Sequence, residues 1–202
     1  MKQQIIKTAS IFMLAVVLSG CGWLYDTGGA SSENGQDTSD LDLEMIEFTA
    51  VNQFEEEVTE ADMEGEYSVV NMAFTRCPSV CTMLTPNMGM VQDGIEEEGI
   101  DASLYTFTVD PEFDSPERLE HYGEAYAANF DVWQFLTGYE LEDIQQIANE
   151  TFNSVVQPAE DDIMHTTYFF IVDPNNQVIR FYDGLADDVS PIVEDLKELT
   201  NE

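Results

Sequence analysis

The sequence predicts an α/β protein with a central mixed β-sheet flanked by helices. Stretches with the apolar composition of strands alternate with stretches of helical periodicity through the middle of the chain. Near the C-terminus, two strand-like runs flank a short turn and are followed by a last helix. Alternation favours parallel strands and the late hairpin adds antiparallel ones, so the sheet is expected to be mixed.

The chain of 202 residues is long enough for one domain with a sizeable core and short appendages. In residues 1–20, two lysines precede the apolar run 11–18, which is too short to span a bilayer and is typical of a signal peptide. Residues 21–40 are rich in Gly, Ser and acidic side chains, which predicts a flexible acidic tether. The folded domain is expected over residues 41–202.

Cys21 follows the apolar run in the sequence Leu18-Ser19-Gly20-Cys21. This stretch resembles the lipobox of bacterial lipoproteins, in which the cysteine becomes the lipidated N-terminus after cleavage. A buried structural thiol is the alternative, but the position directly behind the apolar run favours lipidation of Cys21. Lipid chains hold a protein at a membrane without a spanning helix. The sequence therefore predicts an extracytoplasmic protein anchored to the outer face of the cell membrane.

The charge of the chain excludes one class of partner. There are 41 Asp and Glu against six Lys and Arg, which gives a formal net charge of -35. Nucleic-acid binding depends on basic side chains that neutralise phosphates, so nucleic acid is excluded as a partner. The carboxylates are spread along the whole chain, which favours a solvated surface suited to a saline or alkaline exterior over a cation-collecting cluster.

The first half of the domain begins with a predicted hairpin, in which residues 45–51 and 54–58 pair across Asn52-Gln53. The apolar run 69–74 is typical of a buried strand. An amphipathic helix follows, and its apolar residues are spaced by four, three and four positions: Leu84, Met88, Val91 and Ile95. Pro86 either marks the first turn of this helix or kinks it.

The second half continues the alternation. Residues 103–109 predict a strand, and Ser115-Pro116 supplies an N-cap and a first helical residue. Residues 132–136 predict the next strand and residues 141–152 the next helix. A hairpin of residues 167–172 and 178–182 and a last helix capped by Ser190-Pro191, with Ile192, Leu196 and Leu199 buried, complete the domain.

Cys77 and Cys81 lie where the strand 69–74 gives way to the helix. Unpaired N–H groups and the helix dipole favour thiolates at such a junction, both as nucleophiles and as ligands for soft metals. Two sulfurs four residues apart can face the same side of a first helical turn, so they can close a disulfide or share one ion. A disulfide across so small a loop removes little chain entropy, which disfavours a purely structural role. The residues indicate a redox-active or metal-binding pair.

Three separated motifs resemble the SCO1/SenC family. They are residues 75–81 with Asn87-Met88, residues 108–117, and His165 before an apolar strand that ends at Asp173-Pro174. The resemblance extends over roughly residues 48–199. It implies a thioredoxin-like fold, attachment to a membrane, copper held by two cysteines and a distant histidine, and a role in assembling the dinuclear copper centre of cytochrome c oxidase.

Carried onto this sequence, the resemblance makes Cys77, Cys81 and His165 the copper ligands and the copper-bearing subunit of the oxidase the partner. Thiolates select Cu(I), and two thiolates with an imidazole also hold Cu(II), so the site would accept either state. A histidine beside an apolar strand can instead be a core residue bonded to a carbonyl. The alternative function is a thiol-disulfide oxidoreductase that keeps the oxidase copper-site cysteines reduced, which requires the cysteines but not His165.

Other residues in the motifs have two open interpretations. Asp110 and Asp114 either assist metal or partner handling or serve as turn and cap residues before the helix. Arg76 either lowers the thiol pKa values or covers the end of the strand. His121 matches no motif and is expected to face solvent. Met83, Met88 and Met164 could each offer a thioether sulfur to Cu(I). For Met88, the helical spacing favours packing in the core instead.

Overall fold

The structure is a computed structural model that describes residues 35–160 and 162–201. Its strands are β1 (Gln36–Asp37), β2 (Thr49–Val51), β3 (Glu57–Thr59), β4 (Tyr67–Ala73), β5 (Ala102–Thr108), β6 (Trp133–Leu136), β7 (Gln157–Pro158), β8 (Ile163–Met164), β9 (Tyr168–Val172) and β10 (Val178–Asp183). Its α-helices are α1 (Cys81–Glu98), α2 (Pro116–Ala125), α3 (Leu141–Glu150) and α4 (Ser190–Leu199). Short 3₁₀ helices occupy Ser39–Leu41 and Glu60–Met63.

A six-stranded sheet with the order β1–β10–β9–β4–β5–β6 forms the centre of the domain. Strands β4, β5 and β6 are parallel, whereas β9 is antiparallel to both β4 and β10. The predicted α/β class with a mixed sheet is therefore confirmed. The β9–β10 hairpin is confirmed as well, with Val172 opposite Val178.

Helices cover both faces of the sheet because successive side chains of a buried strand point to opposite sides. Val69 joins one buried cluster together with residues of α1, α2 and α4. Its neighbour Val70 joins a second cluster with residues of α3 and the β2–β3 hairpin. The four apolar residues predicted to form the inner face of α1 are all fully or almost fully buried. Since α1 begins at Cys81, Pro86 lies within the helix and not in its first turn.

Buried polar side chains connect the three parallel strands. The indole N–H of Trp133 donates to Thr106 Oγ1 at 2.8 Å, and Thr106 Oγ1 donates to Asn71 Oδ1 at 2.7 Å. Each of these residues is at most 3% exposed, so the bonds replace contacts with water that folding removes. This chain of bonds links β6, β5 and β4.

The N-terminal hairpin is shorter than predicted, and its turn is longer. β2 pairs with β3, but the connection spans residues 52–56 and not the two residues Asn52-Gln53. The side-chain oxygen of Asn52 accepts the backbone N–H groups of Phe54 at 2.9 Å and Glu56 at 3.0 Å, which closes the wider loop. Gln53 is drawn into the core, where its Oε1 accepts the N–H of Phe135 at 2.9 Å.

The predicted boundary between tether and domain at residues 40 and 41 is wrong. Residues 36–37 form an edge strand against β10. The backbone N–H of Thr38 donates to Ile179 O at 2.9 Å, and its hydroxyl donates to Val178 O at 2.7 Å. These bonds use main-chain groups and one small side chain, so the polar composition of the segment gave no sign of them. The predicted signal peptide and Cys21 lie outside the described residues.

The last helix also begins differently from the prediction. Ser190 is its first residue and not its cap, and the cap position is held by Val189, which makes no side-chain capping bond. The N–H of Ser190 donates to Asp188 Oδ1 at 2.9 Å. Ile192 and Leu196 are buried as predicted, whereas Leu199 is only partly buried. Ser115 does cap α2, and its Oγ accepts the N–H of Arg118 at 3.4 Å. Within residues 35–160 and 162–201, none of the helices combines the length and apolar character that crossing a membrane requires.

Candidate metal centre

The fold brings His165 to the end of the strand that precedes the cysteines. β9 runs antiparallel to β4, so the start of β9 lies at the same edge of the sheet as the end of β4. Cys77 lies in the loop after β4, and Cys81 is the first residue of α1. The imidazole of His165 packs edge-on against Phe74, with ring centroids 5.8 Å apart. Residues separated by more than 80 positions in the sequence therefore meet at one sheet edge.

The two cysteines are free thiols that differ in their surroundings. Cys77 is partly exposed, and its backbone N–H donates to Phe74 O at 3.3 Å. Cys81 is only 2% exposed. The N–H of Cys81 donates to Cys77 Sγ at 3.5 Å, so a first-turn donor of α1 is directed at the outer sulfur. One thiol thus faces the surroundings and the other lies behind it.

Burial raises the pKa of the Cys81 thiol well above its usual range, and the neighbouring Cys77 side chain adds to the rise. Asp162 acts in the same direction through its charge. Cys81 is therefore a neutral thiol, and the expectation that the helix start favours a thiolate is wrong for this residue, because burial outweighs the helix dipole. A metal that takes this sulfur as a thiolate must displace its proton, which couples binding to pH.

His165 has the protonation pattern of a metal ligand. Its Nδ1 lies 2.7 Å from the carbonyl oxygen of Thr166, which can only accept, so Nδ1 carries the hydrogen and Nε2 the lone pair. Burial lowers the pKa of His165, which keeps the ring neutral. Nε2 is buried and has no hydrogen-bond partner among the described residues. The interpretation as a core histidine accounts for one ring nitrogen and leaves the other unsatisfied.

The described residues do not form a complete set of ligands around one metal ion. Within residues 35–160 and 162–201, no three His, Cys, Asp or Glu side chains are arranged so that they could hold one ion. The structure brings His165 against Phe74 at the cysteine-bearing end of β4, and the three-ligand set stays a prediction. Of the other candidates, Met88 is buried in the core, whereas Met83 and Met164 are exposed. His121 is exposed, as predicted, and pairs with Glu124 at 3.2 Å.

Asp114 is an internal anchor for the cysteine loop. It is fully buried, and its Oδ2 accepts the N–H of Thr75 at 3.1 Å and the hydroxyl of Thr108 at 2.5 Å. Its Oδ1 accepts the hydroxyl of Thr75 at 2.5 Å. Burial raises the pKa of Asp114 against the opposing effect of these donors. The carboxylate therefore connects the residue two positions before Cys77 to the end of β5.

Asp110 and Arg76 form a pair beside this anchor. Arg76 Nε lies 2.5 Å from Asp110 Oδ2, and a second guanidinium nitrogen donates to Oδ1 at 3.2 Å. The guanidinium also lies 4.5 Å from the centre of the Phe113 ring. Both contacts direct Arg76 towards the loop after β5, so of the two predicted roles the structure favours covering the strand end.

Two residues that orient His165 were not identified from the sequence. The sequence predicts Phe74 as the last residue of a buried strand, and its contact with His165 depends on the pairing of β4 with β9. The carbonyl of Thr166 fixes the tautomer of the ring, and because every residue has a carbonyl, no sequence signal existed for it.

Comparison with known proteins agrees with this arrangement. The sequence model of the SCO1/SenC family matches residues 36–201. The chain belongs to the SCO1/SenC family. The SCO1 protein homolog of Bacillus subtilis (strain 168) is 30% identical over 198 residues, which cover 96% of each chain. The start of the family match at residue 36 agrees with the observed position of β1.

Solved structures of the family confirm the predicted thioredoxin-like fold. A SCO1/SenC family lipoprotein from Bacillus anthracis str. Ames has a TM-score of 0.76 and 32% identity, covering 80% of this chain and 97% of its own. BsSco, a member of the Sco family of cytochrome c oxidase assembly proteins with a disulfide switch, has a TM-score of 0.74 and 32% identity, with coverages of 80% and 95%. Arabidopsis thaliana ScoI, crystallised with copper bound, shares the fold at a TM-score of 0.67 and 23% identity, with coverages of 78% and 98%.

Proposed function

We propose that this SCO1/SenC protein is a copper metallochaperone that holds copper through Cys77, Cys81 and His165. The observation that carries the proposal is the buried Nε2 of His165, which has no hydrogen-bond partner in the described part of the chain and lies at the sheet edge that bears the cysteines. An apolar environment makes an unpaired nitrogen costly, and a metal ion would relieve that cost. The copper bound to the Arabidopsis relative and the oxidase assembly role of BsSco support the choice of metal and of target.

In this proposal copper is the cargo, and the protein provides a site that can release it to a recipient. Two thiolates and one imidazole suit Cu(I) and also hold Cu(II). Cys77 is accessible to an incoming ion or partner, whereas Cys81 must first lose its proton. If the two thiolates reduce a disulfide of the partner protein to two thiolates, they form one S–S bond with each other and both sulfur ligands are removed together. The copper-bearing subunit of cytochrome c oxidase is the proposed recipient.

The same sulfur pair supports a second function, a thiol-disulfide oxidoreductase that keeps the oxidase copper-site cysteines reduced. The observation that favours it is the asymmetry of the pair, with a partly exposed Cys77 in front of a buried Cys81. Such an arrangement allows one thiolate to attack a substrate disulfide and the second to resolve the mixed disulfide. This activity needs no contribution from His165, so turnover of a disulfide substrate by the His165→Ala protein separates the two functions.

We also propose that the protein is extracytoplasmic and lipid-anchored through Cys21. The B. anthracis relative is described as a lipoprotein. β1 is antiparallel to β10, and β10 runs in the direction of β4, so the chain enters the sheet at the end where β4 finishes. The described part of the chain therefore begins at the end of the sheet that carries the cysteine loop. Radiolabelled palmitate incorporated by the wild-type protein but not by Cys21→Ala is the expected result.

Copper binding by the cysteines is tested with the reduced protein. Wild-type, Cys77→Ser and Cys81→Ser proteins are dialysed against buffered Cu(I), and bound metal is measured by atomic absorption. We expect about one copper per wild-type chain and at least tenfold weaker binding for either variant, because the loss of one of two thiolates removes a strong soft-metal ligand. Equal copper binding by all three proteins would show that the metal is held elsewhere.

A further inference from the structure

A groove of about 740 Å³ lies beside the candidate copper site. Its walls come from four separate segments: the strand end at Phe74 and Arg76, the loop 109–112, the start of α3 at residues 139–142, and the β7–β8 hairpin at residues 158–160 and 162–163. The first wall ends one residue before Cys77, and the last ends two residues before His165. Phe74 lines the groove and also packs against His165. The groove therefore lies next to the proposed histidine ligand.

The rim of the groove is strongly acidic. Among the residues that the structure describes, six carboxylates line it, namely Asp110, Glu112, Glu140, Glu142, Glu160 and Asp162. Arg76 is the one cation among these described lining residues, and Asp110 pairs with it. The carboxylate of Glu140 is engaged in capping α3. Among the described residues, Glu112, Glu142 and Glu160 are exposed and take part in no ion pair or side-chain hydrogen bond, which leaves three uncommitted charges around the opening.

The floor of the groove is apolar. Phe74, Val109 and Tyr139 are buried and form its base, while Leu141 and Ile163 are partly exposed at its sides. Lysine and arginine side chains match such a surface, because their methylene stems cover apolar atoms while their charged ends reach carboxylates. A small cation would use the rim alone. The combination of rim and floor selects a longer, amphipathic occupant.

We propose that this groove docks an extended, lysine- or arginine-bearing segment of the partner polypeptide. The inference rests on the proposed function, since it places the thiols of a copper-accepting or disulfide-bearing partner next to Cys77. Charge complementarity supplies the attraction and steers the encounter, while the apolar floor supplies the preference for a peptide over a free cation. An acidic segment would be repelled by the same rim.

The test uses the protein as the cell makes it, purified in a mild nonionic detergent. The probe is the thiol-free peptide acetyl-Lys-Val-Lys-Val-Lys-amide, and spermidine serves as a probe of equal charge without apolar side chains. Binding is followed by backbone amide shifts at residues 112, 141 and 159 in low salt. The groove variant combines Glu112→Gln, Glu142→Gln and Glu160→Gln. The matched control combines Glu57→Gln, Glu97→Gln and Glu194→Gln, which are exposed and lie outside the groove.

We expect the groove variant to bind the peptide at least tenfold more weakly than wild type and the control to stay within twofold. Spermidine should bind at least tenfold more weakly than the peptide. If the two triple variants lost equal affinity for the peptide, the effect would be due to net charge alone. If spermidine bound as tightly as the peptide, the groove would attract any cation and not a peptide in particular. Either result would overturn the proposal. Copper loading of the same samples is measured separately, so failure of the copper site and failure of the groove are distinguishable.

Discussion

Replacing Asp114 tests the claim that a buried carboxylate fixes the cysteine loop. Asp114→Ala removes the acceptor for the backbone N–H of Thr75 and for the hydroxyls of Thr75 and Thr108. Asp114→Asn is the matched control, because the amide oxygen can accept both bonds made by Oδ2. Its NH₂ group can donate to the hydroxyl of Thr75 once that hydroxyl rotates. The two variants therefore differ in whether the loop keeps its connection to β5.

The expected cost follows from counting these groups. A buried group left without a partner costs about 1–3 kcal/mol, and the two hydroxyls can partly find other acceptors. We expect Asp114→Ala to lower the free energy of unfolding by about 3–5 kcal/mol, within the range of large single-site effects. For Asp114→Asn we expect a loss below about 1.5 kcal/mol, because every bond is retained in a neutral form.

Urea unfolding at pH 7 measures both losses. With a slope of about 2 kcal/mol per molar urea, the midpoint of Asp114→Ala should fall by about 1.5–2.5 M. Burial raises the pKa of Asp114 above its usual 3.8, so the folded protein holds the proton in a window where the unfolded chain has lost it. The contribution of Asp114 to stability must then fall as pH rises through that window. The free energy of unfolding of wild type should therefore exceed that of Asp114→Asn by a larger margin near pH 4 than at pH 7.

A midpoint for Asp114→Ala within about 0.5 M of wild type, at an unchanged slope, would refute the anchoring role. A wild-type advantage over Asp114→Asn that grows as pH rises would refute the assigned sign of the pKa shift.

Three further outcomes follow from the structure. Iodoacetamide should label Cys77 at least tenfold faster than Cys81, because Cys81 is 2% exposed and its thiol pKa is raised; peptide mass spectrometry measures both rates. Raising NaCl from 0.1 to 1 M should increase the thermal unfolding midpoint by several degrees, because the screening length falls from about 10 to about 3 Å around a chain of charge -35. Gly184→Ala should destabilise the domain by about 1–3 kcal/mol in urea unfolding, because its Cβ would lie 2.4 Å from Thr167 O.

Each of these outcomes has its own control or contrary result. Equal labelling of both cysteines would contradict their assigned exposures. A midpoint that falls with NaCl would show that stabilising ion pairs outweigh repulsion. Gly89→Ala is the control for Gly184, since its nearest neighbour would be Tyr126 O at 3.9 Å and alanine favours a helix; equal losses at both glycines would remove the steric explanation.

Local patterns in the sequence were enough to predict most of the fold. The spacing from Leu84 to Ile95 identified α1 and its buried face, and the turn residues between β9 and β10 identified that hairpin. β1 was not predicted because its main-chain hydrogen bonds to the edge of β10 do not require any particular residue types. The turn after β2 escaped prediction because the Asn52 side chain closes a longer loop than the sequence suggested.

The candidate site was predictable only where its chemistry is local. Cys77 and Cys81 are four residues apart at a strand-to-helix junction, so the sequence alone predicts that they act together. His165 was identified through the family resemblance, because no local pattern shows that β9 lies against β4. The roles of Asp110 and Asp114 stayed open for the same reason, since only tertiary contacts distinguish a surface partner of Arg76 from a buried anchor.

A copper titration of the reduced protein, with wild type compared to His165→Ala and His121→Ala, tests the proposed site most directly. His121 is the exposed histidine of the described domain and controls for loss of an imidazole. With Cu(II), stoichiometry and the thiolate-to-copper absorption are recorded together. We expect His121→Ala to match wild type and His165→Ala to bind copper at least tenfold more weakly, with a shifted absorption band. Identical affinity and spectra for all three proteins would contradict the assignment of His165 as a ligand.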